Sequence, residues 1–158
     1  MFQVLEHLEN PLEFLKQIKK YLKSSGIIYI EVPNLRDALI HAYNLPHHYK
    51  FYFHKTHLWY FTKQSLMKMM GKAGFKGRIF FTQDYNILNH MHWLDCDSPQ
   101  TDCIKGLSVP LLPFRNTMEL AKKARLSKFM RKIDLEYKKI LTKLEIASNI
   151  SFIGKKIA

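Results

Sequence analysis

Residues 4–34 read VLEHLENPLEFLKQIKKYLKSSGIIYIEVPN, and no other stretch limits the fold more. Asn10 suits an N-cap, Pro11 the first helical position, and Glu13 stands where a capping box needs an acid. Phe14, Leu15, Ile18, Tyr21 and Leu22 recur at helical spacing. Lys19, Lys20 and Lys23 favour the negative end of the helix dipole. Gly26 is placed to take the left-handed conformation that stops the helix. The run IIYIEVP, rich in β-branched residues, predicts a strand covered on both faces. A helix delivered through a short turn into such a strand is half of a βαβ unit. The other half is the strand before the helix, and MFQVL (1–5) supplies only its tail.

The remaining chain predicts few further elements. Residues 35–61 read as an irregular lid loop crowded with His and aromatic residues, as in HAYNLPHHYKFYFHKTHLWYF (41–61). Thr62 is a cap for a helix whose Leu66, Met69, Met70 and Ala73 share one face, with Gly74 as its stop. RIFFTQ (78–83) predicts a second strand. NHMHWL (89–94) and the Pro-bearing stretch 98–113 read as a long connection. From about Asn116 to Leu144 the apolar residues Leu126, Phe129, Met130, Ile133, Tyr137, Ile140, Leu141 and Leu144 keep a helical period. Ten Lys or Arg between Arg115 and Lys143 occupy mostly the other face. NISFIGKK (149–156) predicts a final strand. There is no internal repeat and no low-complexity segment.

At 158 residues the chain is long enough for one core of ordinary domain size. Hydrophobic residues make up 47% and aromatics 13%, which excludes a disordered composition. Lys and Arg number 25 against 13 Asp and Glu, a formal charge of +12. That excess invites anionic partners, with a solvated basic surface as the default reading. The first residues lack the basic and apolar regions of a signal peptide. No apolar run reaches the ~20 residues a membrane span needs. Cys96 and Cys103 lack metal or redox spacing, and one pair makes no disulfide scaffold. The expected location is a reducing cytoplasm.

The order of these motifs resembles the second half of a class I S-adenosylmethionine-dependent methyltransferase. In that family a phrase like Val4-Leu5-Glu6-His7-Leu8 follows strand 4. A helix beginning near Asn10-Pro11 comes next, then Leu22-Lys23 with Gly26, and strand 5 at Ile27–Val32. HLWYFTKQSLMKMMGKAGF (57–75) looks like the helix before strand 6. QDYNILNHMHWL (83–94) is similar to a segment of bacterial members associated with sugar or surface-glycan modification. ASNISFIGKK fits an antiparallel strand 7. The resemblance implies an α/β fold: a partial Rossmann-like sheet with a strand-4 remnant, strands 5 and 6 and antiparallel strand 7, plus a long basic C-terminal helix. It implies one partial domain over 1–158. Residues 1–34 would hold the end of strand 4, a helix and strand 5, and 35–61 the lid loop. Residues 62–97 would hold a helix, strand 6 and a substrate-side segment, 98–147 the connection and basic helix, and 148–158 strand 7. The family's glycine-rich turn and its ribose-binding acid have no counterpart here, since no G-x-G occurs.

The implied activity is methyl transfer from S-adenosylmethionine to a small acceptor, with a sugar or surface-glycan hydroxyl foremost. The 158 residues alone are expected to bind the donor weakly and to be inactive without a missing N-terminal half, supplied by a partner chain or approached by a homo-oligomer. Gln3 would touch the edge of the cofactor pocket. Glu6 and His7 match positions that hold a divalent metal in ubiquinone-pathway and small-RNA methyltransferases, with His57 as a downstream ligand. Mg²⁺ or Mn²⁺ would suit them, although Gln3 stands where the first Glu would be. His7 and His57 are also the candidate catalytic bases. His54, Trp59, Tyr60, Asn89, His90 and Trp93 are the candidate substrate-side residues. The rival reading is a non-catalytic, degenerate module that binds a partner protein, nucleic acid or an acidic surface, nucleic acid being the weakest of these.

Overall fold

The computed structural model describes residues 1–114 and 118–157. Three strands, β1 (Ile27–Pro33), β2 (Phe75–Thr82) and β3 (Asn149–Lys156), form one sheet in the order β1-β3-β2. β3 runs antiparallel to both neighbours, so Ile30 and Ile79 both lie opposite Phe152. Along the free edge of β1 the first residues run parallel: Phe2 bridges Glu31, the Gln3 amide donates to Glu31 O at 2.9 Å, and Glu31 N donates to Met1 O at 3.0 Å. This is an isolated parallel bridge at the position where the sequence reading puts a strand tail. The architecture is α/β, a small antiparallel sheet with helices.

Helix α1 (Pro11–Tyr21) starts where the sequence puts it, with Asn10 Oδ1 accepting from the Glu13 amide. The Glu13 carboxylate pairs with Lys16 at 2.7 Å, so only one leg of the expected capping box is seen. Helix α4 (Lys63–Lys72) has the fuller device, reciprocal bonds between Thr62 and Ser65. Gly74 follows with a φ of 84°, the left-handed stop. Gly26 does not take that conformation, because Leu22 already leaves the helix as an extended cap.

The core lies on one face of the sheet. Ile28, Ile30 and Val32 of β1 and Ile150 and Phe152 of β3 pack with Leu15 of α1, Leu66 and Met70 of α4, and Phe61. Each large apolar side chain buried this way contributes about 1.5–3 kcal/mol. Gly77 and Gly154 lie opposite each other across β2 and β3, where a Cβ at Gly77 would come within 2.6 Å of the Phe152 ring. The opposite face of β1 is not the second apolar face its sequence suggests. There Tyr29 and Ser151 hydroxyls donate to the Glu31 carboxylate, each at 2.9 Å, and the surface is polar and half-buried. Glu31 at the middle of an otherwise apolar run is the residue that marks it.

Two further differences concern segments read as irregular, and two concern element bounds. Residues 35–61 contain two short helices, α2 (Ala38–His41), capped by Asp37, and α3 (Pro46–Tyr52), opened by its proline. The stretch read as connection forms α5 (Ile87–Cys96), capped by Asn86, and α6 (Cys103–Leu107), capped by Asp102. β2 begins at Phe75, before the expected Arg78, because Gly77 pairs in register with Gly154. The long helix α7 runs Leu120–Lys143, and the expected start at Asn116 lies outside the described residues. α7 packs on β2 and α5. Its buried Asp134 accepts from the Ile87 amide at 2.7 Å, so one helix caps the start of another.

Candidate functional site

A cleft of about 440 Å³ opens beyond the end of β1, the end of β2 and the start of β3. That is where open α/β sheets place their ligands. The loop after β1 is fixed by Asn34, whose buried amide donates to Ala147 O at 2.8 Å and Glu145 O at 3.1 Å. Asp37 then caps α2 by accepting from the Leu39 amide at 2.7 Å. Burial pushes its carboxyl up to about 6.

One wall of the cleft is aromatic and comes from α3 and α5. His48 and Trp93 meet edge to face with ring centroids 4.5 Å apart, and Phe51 lies 5.5 Å from Trp93. Behind them His90 is almost fully buried. Its Nδ1 meets Tyr137 Oη at 2.8 Å and its Nε2 accepts from the Gln83 amide at 3.1 Å. That bond fixes the proton on Nδ1, which donates to Tyr137. Gln83 in turn accepts from Ser148 N at 2.8 Å. Burial lowers both His48 and His90 to about 4, so both are neutral at pH 7. The facing wall is polar. Gln3 Nε2 donates to Asn149 Oδ1 at 3.2 Å, and Asn149 Nδ2 donates to Asp84 Oδ2 at 2.7 Å.

A second cluster adjoins the cleft at His57. Glu6 lies in a 3-10 turn over Leu5–His7 and is fully buried, and its carbonyl accepts from Leu58 N and Trp59 N. Both of its carboxylate oxygens lack a hydrogen-bond partner. Desolvation raises its pKa, opposed by the backbone and by His7. His7 donates from Nδ1 to Thr56 O at 2.7 Å, which turns Nε2 toward Glu6 Oε1, 3.8 Å away. His57 packs edge-on against His7 at 4.7 Å, and its buried Nδ1 has no partner. Burial first, then the neighbouring His54 and His7, lower His57 to about 4. One donor atom from each of Glu6, His7 and His57 lies within 4.8 Å of the others. The structure thus brings together three residues that the sequence separates by up to 51 positions.

Of the residues read from sequence, Gln3, His54, His57, Asn89, His90 and Trp93 line the cleft. Glu6 and His7 stand behind His57 and do not line it. Trp59 and Tyr60 also stand outside. Trp59 Nε1 donates to Leu8 O at 2.8 Å, and the Tyr60 hydroxyl donates to Tyr52 O and accepts from His54 N. Asp37, Asp84, Tyr85 and Asn149 are lining residues that sequence reasoning missed. Asp84 had a signal: it follows the predicted strand directly, at the carboxyl end where ligands bind. Asn149, reached through chain reversal in β3, had none.

A family model described as a methyltransferase domain matches residues 1–78. No curated protein matches the sequence. Among solved structures, a SAM-dependent methyltransferase from Archaeoglobus fulgidus superposes with a TM-score of 0.51 at 20% identity, covering 99% of this chain and 57% of that one. Fold and motif together define a class I methyltransferase-type α/β domain. Residues 1–78 carry the methyltransferase-domain match, and the chain as a whole has the fold of part of such an enzyme. It spans little more than half the length of the matched structure. The matched structure is one that depends on S-adenosylmethionine as donor. The described residues do not fit the whole donor. No glycine lines the cleft, and its amide-bearing Gln3 is already bonded to Asn149. Among the described residues no helix is long and apolar enough to cross a membrane.

Proposed function

We propose that this chain supplies the acceptor-binding part of a methyltransferase, and that the acceptor is a small, uncharged, hydroxyl-rich ring such as a sugar. The supporting observation is the two-sided cleft. Trp93, His48 and Phe51 offer an aromatic wall against which a sugar's C–H face can pack. Asn89, Asn149 and Asp84 face it with groups that accept or donate to hydroxyls. Its volume lies at the small end of the range for ligand sites, roughly 300–1,000 Å³. Neutral His48 and His90 leave no cation in that wall to recognise a phosphate. His57, at the rim, is held neutral and so can accept a hydrogen bond from an acceptor hydroxyl. Its lowered basicity suits orienting that hydroxyl more than deprotonating it.

The test is a two-dimensional NMR titration of the chain with methyl glucoside, N-acetylglucosamine and glucose 1-phosphate. The neutral sugars should shift the Trp93 indole resonance at millimolar concentration, and Trp93→Ala should abolish binding. Preference for the phosphorylated sugar, or shifts that avoid Trp93, would overturn the assignment. S-adenosylmethionine alone should bind more weakly than about 0.1 mM, because two lost charged anchors at about 1.5–3 kcal/mol each remove that much affinity from a micromolar site.

A second reading concerns Glu6, His7 and His57. A buried carboxylate with two unpartnered oxygens beside two imidazole nitrogens is a donor set that fits a divalent cation. Mg²⁺ or Mn²⁺ would be held by these three residues and would polarise an acceptor oxygen. Mn²⁺ binding followed by electron paramagnetic resonance should vanish in the Glu6→Ala/His7→Ala double variant. Equal binding by both proteins rules the site out.

A further inference from the structure

We infer that α7 docks flat on an anionic membrane surface. The helix carries nine Lys or Arg against only Asp134 and Glu136 between Leu120 and Lys143. Asp134 is buried, where it caps α5 and pairs with Lys138 alone. Lys122, Lys138 and Lys139 each pair with a neighbouring carboxylate. Among the described residues Arg125, Lys128, Arg131 and Lys132 form no ion pair, and all four are exposed. They surround a shallow groove whose remaining sides are Phe129 and Leu135. These two side chains are 56% and 62% exposed, far more than an aromatic and a leucine on a packed helix.

That pairing of chemistry selects the partner. Four unpaired cations complement a surface of anionic headgroups. Large apolar side chains set among them gain by entering the boundary between headgroups and acyl chains, about 5–10 Å deep. Ile140, also exposed, falls on the Phe129 side and extends the apolar surface along a helix of roughly 36 Å at 1.5 Å per residue. Single-stranded nucleic acid would use aromatic stacking beside its cations, and an aliphatic Leu135 offers a base no stacking face. An acidic peptide would satisfy the cations and leave Phe129 and Leu135 in water. The docking stands on α7 alone and does not depend on the acceptor cleft.

Co-sedimentation of the full chain with vesicles decides it. Phosphatidylcholine vesicles containing phosphatidylglycerol should capture the protein, and pure phosphatidylcholine should not. Each basic residue near such a surface contributes roughly a fivefold gain in partitioning. Reversing Arg125, Lys128, Arg131 and Lys132 to Glu should therefore reduce binding by on the order of 100-fold or more. The Phe129→Ser/Leu135→Ser variant keeps every charge and should still lose roughly tenfold. Both sets of changes lie on exposed positions, and a far-ultraviolet circular dichroism melt matching the wild type confirms that the fold survives. Several outcomes overturn the proposal: equal capture by neutral vesicles, no capture by anionic ones, or a Ser variant that binds like the wild type. Stronger binding to single-stranded RNA or polyglutamate than to anionic vesicles does so too.

Discussion

Two histidine clusters flank the cleft, and they differ in what satisfies them. Behind the aromatic wall, both nitrogens of His90 are bonded, to Gln83 and to Tyr137, and Gln83 is bonded onward to Ser148. On the other side, Glu6 is equally buried, yet neither carboxylate oxygen has a partner, and the buried His57 Nδ1 has none. Burial alone therefore does not distinguish a structural polar group from a poised one. Buried polar groups are normally satisfied, and each exception calls for an explanation. The bonded cluster holds α5 and α7 in place, which fixes the cleft wall. The unbonded cluster stores a desolvation cost that a ligand would relieve.

The largest effect is expected from acid. His48 and His90 have pKa values of about 4 in the fold against an ordinary 6.5. The unfolded chain binds more protons between those values, so stability is present above pH 6.5 and is lost as pH falls toward 4. At about 1.4 kcal/mol per unit, each histidine is worth on the order of 3 kcal/mol. Asp37 acts in the opposite direction. Its pKa is raised from 3.8 to about 6, so its contribution is present below 3.8 and lost as pH rises through 6. Acidification regains roughly what one histidine loses. Urea unfolding at a series of pH values should show a net fall between pH 6.5 and 4. His90→Gln should flatten it and Asp37→Asn should steepen it. A flat wild-type profile would show that these imidazoles titrate normally.

Next is His90→Ala at neutral pH. It takes one bond from Gln83, which keeps Tyr85 O, and one from Tyr137, which keeps Tyr43, and it opens a cavity, a combination that costs about 2–4 kcal/mol. Denaturant unfolding should show that loss. A change below 1 kcal/mol would mean the bonded cluster is not what holds the wall.

The opposite sign is expected at Glu6. Glu6→Gln removes the desolvated charge and adds a donor that can reach His7 Nε2, the nitrogen left free by the bond to Thr56. A gain of roughly 1 kcal/mol is expected, since an unsatisfied buried group costs about 1–3 kcal/mol. Destabilisation by Glu6→Gln would mean the carboxylate is satisfied in solution, and the contrast between the clusters would collapse.

What the sequence made legible follows the same division. α1, β1, α4 and β3 were readable because Asn10, Thr62 and Gly74 act on neighbours within a few residues, and the apolar periods are local. α5 was obscured because its inward face is Asn89, His90 and Trp93, residues chosen for the cleft and not for a plain apolar stripe. Its cap, Asn86, accepts from the Asn89 amide and was a signal left unread. Glu6, His7 and His57 were read only through family resemblance. Their proximity depends on the loop bonds from Leu58 N and Trp59 N to Glu6 O, which no spacing rule predicts. The Asp84–Asn149–Gln3 chain joins three distant segments through the sheet register and was invisible for the same reason.

The smallest effect is expected at Trp59, and it tests where the cleft ends. The sequence reading placed Trp59 among the substrate-side candidates. In the structure its indole lies across the 3-10 turn, 42% exposed, with Nε1 donating to Leu8 O. Trp59→Phe keeps most of the apolar contact and removes only that bond. A hydrogen bond of this kind contributes about 0.5–1.5 kcal/mol, and partial exposure puts the loss at the lower end, since water can replace the donor to Leu8 O. Sugar-induced shifts at Trp93 should be unchanged, because no atom of Trp59 reaches the lining. If Trp59→Phe instead weakened sugar binding while stability held, the acceptor site would extend past His57 onto the Glu6 cluster. The bonded and unbonded clusters would then be two ends of one site.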